Sequence, residues 1–101
     1  MSAEKIVVVV DIDLEELIPG FLENRNKDVP ILRQAYSDQD LVKLQSVGHS
    51  LKGVGGGYGF DMLSEIGAEI ETAAKQSNLD VMEELINRLS DYLERVEVVF
   101  E

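Results

Sequence analysis

A chain of 101 residues with 45% apolar residues can fill one hydrophobic core and not two. It has one histidine and neither cysteine nor tryptophan, which excludes disulfides, thiolate metal centres and an aromatic platform for stacked bases, and would leave a zinc site to carboxylates. Twenty acidic residues against nine scattered basic ones give a net charge of −11, a surface that repels nucleic acid.

The chain opens on KIVVVV, residues 5–10, a β-branched run that reads as a short strand or extended arm. Ile6 to Val10 is the longest apolar run, far short of a membrane span, and neither a basic leader nor a small-residue cleavage site flanks it. A cytoplasmic protein with no membrane partner is therefore expected. Asp13 is placed to cap a short leading helix through Leu14, Leu17 and Ile18. Pro19 suits the first turn of a second helix running to about Tyr36, with Pro30 expected to kink it or end it early.

Ser37-Asp38-Gln39-Asp40 is a capping signal for a helix with Leu41, Leu44, Gly48, Leu51 and Gly55 on one face, broken by Gly59. Asp61 opens the next, which turns Leu63, Ile66 and Ile70 inward and stops at Gln76-Ser77-Asn78. The last begins near Asp80 and carries Leu85, Ile86, Leu89, Tyr92 and Leu93. Short connections favour antiparallel neighbours. The pattern predicts a single all-α domain over residues 1–101, with its core about 13–96: an antiparallel four-helix bundle with a short leading helix. Val96 to Phe100 is again β-branched. It either pairs with Ile6–Val10 as a two-stranded ribbon or continues the last helix, and the sequence leaves both open.

Around a helix axis at about 100° per residue, His49 lies roughly 160° from Leu51 and about 140° from Leu44. The imidazole is thus expected to face water. Its lateral neighbours are Gln45, Ser46, Lys52, Gly53 and Gly56, none of them aliphatic. Four glycines at 53, 55, 56 and 57 would cost a helix roughly 3–4 kcal/mol relative to alanine. Gly48 and Gly55, on the core side, can let a neighbouring helix approach. Gly53 and Gly56 have no such packing role and instead clear the space around the ring. An exposed imidazole with an ammonium one turn away and little bulk nearby suits a phosphoryl group: imidazole is a good nucleophile near neutral pH, and Lys52 can balance charge on the transferred oxygens. A nucleotide-binding loop is a poor alternative. G-x-G-x-x-G fails from Gly53, Gly55 and Gly57 alike, there is no G-K-[ST], and no strand feeds the glycines.

GHSLKGVGGGYGF, residues 48–60, resembles the signature of histidine-containing phosphotransfer (HPt) domains, in which H-x-L-K-G is followed by small residues and a glycine ten positions after the histidine, here Gly59. LSEIGAEIETAAKQSNLD, with its Glu-x-Ala-Ala element at Glu71–Ala74, and DLEELIPGFLENRNKD resemble flanking helices of the family. The resemblance spans roughly Asp13 to Val96. It implies a four-helix bundle that is phosphorylated at Nε2 of His49, with Lys52 stabilising the phosphoryl group and Gly53 giving clearance. Docking residues are expected at Gln45, Ser46 and Gly56. The implied partners are a response-regulator receiver domain, which would bring its own Mg²⁺, and a hybrid histidine kinase. The chain itself is expected to be a monomeric phosphocarrier with no cofactor, no metal site and no kinase activity. It departs from the family in its excess of glycine where alanine is common.

Two other functions are compatible with the sequence. One is the phosphotransfer domain of a chemotaxis-type kinase, which shares H-x-L-K-G; a fragment of a hybrid kinase is a related case, although Met1 and the compact length favour a stand-alone protein. The other is a non-phosphorylated scaffold or inhibitor that uses the same face and for which His49 would be dispensable.

Overall fold

The computed structural model describes residues 4–101. Strand β1 (Ile6–Val10) leads into a turn of 3-10 helix at Ile12–Leu14, followed by helices α1 (Ile18–Ser37), α2 (Leu41–Gly57) and α3 (Asp61–Lys75), a second 3-10 turn at Leu79–Val81, helix α4 (Met82–Arg95) and strand β2 (Val96–Phe100). Helix α1 packs on α2 and α4, and α3 packs on the same two, so four helices close around one core. Leu32, Leu44, Leu51, Phe60, Leu63, Ile70, Met82 and Leu89 are fully buried there. Phe21 stacks on Phe60 with centroids 5.0 Å apart and tilts against Tyr58 at 4.7 Å.

One expectation about the first third is corrected. The leading helix is only the single 3-10 turn, and its cap is Asp11, whose Oδ1 accepts from the Asp13 N–H at 2.9 Å. A three-residue turn closes there because the chain must bend from β1 onto the bundle. Helix α1 spans 20 residues, close to the expected Pro19–Tyr36, and of the two outcomes expected at Pro30 an early end does not occur. Pro30 and Asn26 both lie on the exposed side, so the carbonyl left without its N–H partner is not forced into the core.

Helices α1, α2 and α3 finish in the same way. A residue with positive φ (Gln39 at 55°, Gly59 at 86°, Ser77 at 55°) follows each helix. The next N–H then reaches back five residues: Asp40 to the Ala35 carbonyl, Phe60 to Gly55 and Asn78 to Ala73, each at 2.8 Å. At the end of α2 this turn drives Phe60 into the core, which fixes where α3 starts.

The two terminal segments pair as a parallel ribbon, Ile6 opposite Val96 through Val10 opposite Phe100. Its inner face (Ile6, Val8, Val10, Val96, Val98 and Phe100) packs on the bundle core, which is what makes so small a sheet stable.

Candidate functional site

Helix α2 delivers the histidine. Asp40 caps it by accepting from the Lys43 N–H at 3.0 Å, and the helix continues unbroken through Gly53, Gly55, Gly56 and Gly57. Leu44, Gly48, Leu51 and Gly55 are its buried residues. The opposite side therefore faces water, and the His49 side chain is 70% exposed.

Glycine sets the distance between α2 and α3. A Cβ on Gly48 would sit 2.7 Å from the Glu71 nitrogen, one on Gly55 would sit 2.7 Å from the Ser64 nitrogen, and one on Gly67 would sit 2.6 Å from the Lys52 nitrogen. No real side chain tolerates such contacts with backbone, so these three residues permit an approach that alanine would forbid. Ser64 Oγ donates to the Lys52 carbonyl at 2.7 Å across the same seam. Gly53 and Gly57 differ: a Cβ there meets nothing within 4 Å, and one on Gly56 would only touch Ser64 Oγ at 3.7 Å.

The close approach brings Glu71 beneath the imidazole. Its side chain is 8% exposed, and it holds His49 Nδ1 at 2.8 Å on Oε2 and Lys52 Nζ at 3.1 Å on Oε1, with Lys75 Nζ 3.8 Å from Oε2. The hydrogen bond from Lys52 is the strongest influence holding this carboxyl below its ordinary value of 4.5. Burial opposes it, while the hydrogen bond from His49 and the charges of Lys52 and Lys75 assist. An ionised carboxylate only accepts hydrogen bonds, so the proton between Glu71 and His49 belongs to Nδ1. In the neutral ring Nε2 then carries the free lone pair, on the solvent side. The assembly can therefore present an oriented nucleophile, with a counter-charge held at its back and a half-exposed ammonium beside it.

The expected site residues do come together. His49, Lys52, Gly53 and Gly56 share the exposed side of α2, and Gln45 and Ser46 line an open hollow of about 440 Å³ with Val42, His49 and Glu71. Among the described residues, no group of three or more His, Asp or Glu side chains stands close enough to hold a metal ion. No helix of the described residues is long and apolar enough to cross a membrane.

Sequence reasoning missed three participants. Glu71 was legible only as part of a family element, although a carboxylate one residue after Ile70 on an inward-facing stripe was itself a signal. Gly67 is the third glycine in the seam, on α3 opposite Gly48. Val42 is 80% exposed, two turns before His49 on the same side, where a polar residue would be ordinary.

The family model described as Hpt domain matches residues 16–98. No curated protein and no solved structure matches the chain significantly.

Proposed function

Because the chain belongs to the Hpt domain family, whose members carry phosphoryl groups on histidine in two-component signalling, we propose that this protein accepts a phosphoryl group on Nε2 of His49 and relays it between receiver-domain aspartates. The observation that carries this reading is the 2.8 Å contact from His49 Nδ1 to the buried Glu71 carboxylate, which leaves Nε2 as the free nitrogen of an exposed ring.

In the forward step the Nε2 lone pair attacks phosphorus in line. The N–P bond forms as the P–O bond to the receiver's aspartate breaks, and that carboxylate leaves with the bond's electron pair. No proton has to move. The ring keeps its Nδ1–H and becomes cationic, and the positive charge develops against a carboxylate already in place. Glu71 is thus a positioning residue: it selects the tautomer and stabilises the charged product. Lys52 is set to turn its ammonium toward the transferred oxygens, and Gly53 leaves the partner room to approach. The receiver supplies its Mg²⁺ and acidic groups, and this chain supplies no metal and no ATP chemistry. The reverse step uses the same groups, so the direction of flow is set by the partners.

Gln45, Ser46 and Gly56 form the docking surface around His49, with Val42 as an apolar contact at its edge. An up-and-down antiparallel order of the helices is supported by the descending pairing along α2 and α3: Gly48 meets Glu71, Lys52 meets Gly67 and Gly55 meets Ser64. We place the domain in the cytoplasm as a monomer, between a hybrid kinase and a response regulator.

Incubation with a phosphorylated receiver domain and Mg²⁺ should label the protein with acid-labile, base-stable phosphate. His49→Gln should abolish the label while the helical circular dichroism stays intact. Labelling that survives this change overturns the assignment to His49, and a parent protein that takes no label at all leaves the non-phosphorylated scaffold.

A further inference from the structure

The terminal ribbon has an edge that makes no hydrogen bond to the rest of the described chain. Where β1 and β2 run out, the Glu101 N–H donates to the Val10 carbonyl at 3.1 Å and the Ile12 N–H donates to the Glu101 carbonyl at 2.9 Å. In a parallel ladder each residue's N–H and C=O point to the same side, and the side alternates along the strand. Ile6, Val8 and Val10 therefore aim their backbone groups at β2, and Val7 and Val9 aim theirs outward. The position a Cβ would take on Gly59, outside the ladder, lies 4.0 Å from the Val9 carbonyl oxygen, which agrees with that phase. Among the described residues no hydrogen bond outside the ladder reaches the backbone of Val7 or Val9.

This edge also lacks the features that normally protect one. IVVVV contains no proline and no charge, and Val7 and Val9 are more than half exposed. Beside it runs a groove of about 280 Å³, walled by Ile6–Val9 on one side and by Gly59, Asp61, Met62 and Tyr92 on the other. Tyr92 is 2% exposed, and its hydroxyl has no hydrogen-bond partner. Unpaired strand groups and a carboxylate thus line one groove, and an extended chain could satisfy both.

Charge selects the occupant. Glu4, Asp11, Asp13, Glu97 and Glu101 are exposed on the ribbon and its ends, and Asp61 stands in the groove. Of the cations nearby, Arg95 is already engaged by the Glu4 carbonyl and Asp91, which leaves Lys5. A second copy of this chain would set acids against acids, with −11 on each molecule. We propose that the outer edge of β1 is a strand-addition site for an extended segment of a partner protein in which basic and apolar residues alternate. Gly57, the last residue of α2, lies eight residues beyond His49, about 12 Å along the helix, and Gly59 lies past it. A protein tethered at β1 would leave the imidazole free. The proposal does not depend on the phosphotransfer reading.

The test is titration of the full chain with a labelled peptide of alternating lysine and valine, followed by fluorescence anisotropy and by amide hydrogen exchange. The lysine peptide should bind at least about tenfold more tightly than its glutamate counterpart and should slow exchange at the Val7 and Val9 amides. Val9→Pro removes an outward N–H and spares the ladder, so it should weaken binding about five- to tenfold while phosphoryl acceptance is unchanged. Asp61→Asn should weaken binding several-fold and flatten its salt dependence. Equal affinity for the glutamate peptide, unchanged exchange at Val7 and Val9, or concentration-dependent dimerisation through this edge without peptide would each overturn the proposal.

Discussion

Gly48, Gly55 and Gly67 meet in the seam between α2 and α3, where an added methyl would fall within 2.7 Å of backbone nitrogen. Gly53 and Gly57 occupy the outer side of α2, where the same methyl would touch nothing within 4 Å. One residue type, within a single helix and its neighbour, therefore serves two physical ends. Inside, the missing side chain lets two backbones close until Glu71 reaches His49. Outside, it leaves empty space beside the ring, which costs helix stability and has no internal compensation. Glycine at the seam is explained by the fold alone, whereas glycine on the outer side needs a partner to explain it.

Substitution at the seam should have the largest effect. Gly67→Ala sets a Cβ against the Lys52 nitrogen and the Gly48 carbonyl, so α2 and α3 must separate. A loss of about 3 kcal/mol or more in urea unfolding is expected, together with loss of the His49–Glu71 contact. A stability within about 0.5 kcal/mol of the parent would erase the distinction between the two glycine sets.

Next come the charges that the seam brings together. Glu71→Gln should leave a folded bundle but slow phosphoryl transfer roughly tenfold, because an amide no longer forces the proton onto Nδ1. Nitrogen NMR of His49 should show the shift from a single tautomer to a mixture. A purely structural role for Glu71 would leave that signal unmoved. Lys52→Ala should slow transfer by about tenfold without altering the tautomer.

The acid limb follows from the same carboxyl. Its folded value lies below the ordinary 4.5, so the stability it contributes is fully present above about pH 4.5 and is lost as pH falls through the lower, folded value. The stability gap between the parent and Glu71→Gln should therefore hold from pH 7 to pH 5 and close only in stronger acid. A gap that closes already at pH 6 would contradict the pairing described.

The smallest effect is expected on the outer side, with the opposite sign. Gly53→Ala should raise stability by about 0.5–1 kcal/mol, since the position is helical and unobstructed. It should also slow transfer from a phosphorylated receiver. A variant that is more stable and equally fast would deny Gly53 its proposed clearance role.

Much of this could be read along the chain. The period of Leu44, Gly48, Leu51 and Gly55 placed the imidazole on the wet side of its helix, because angular position around an axis is a local property. The cap at Asp40, the stop at Gly59 and the apolar stripe of α4 are local for the same reason. The glycine run carries a helix cost that the order of the chain does not offset; the packing of α3 against Gly48 and Gly55 does. At Pro30 the sequence left an early end of α1 open, because local chemistry counts a missing hydrogen bond and does not know that the ring will face water.

Linear pattern was thus sufficient for the helices, the exposed histidine and the lysine beside it, each of which depends on neighbours within a turn or two. Only the assembled bundle could choose which nitrogen of His49 is free, since that rests on a carboxylate 22 residues away, brought close by glycines on two different helices. The union of the first strand with the last, ninety positions apart and in parallel, was decided in the same way. Contacts at such separation depend on how whole elements stack, and no short stretch of residues encodes that.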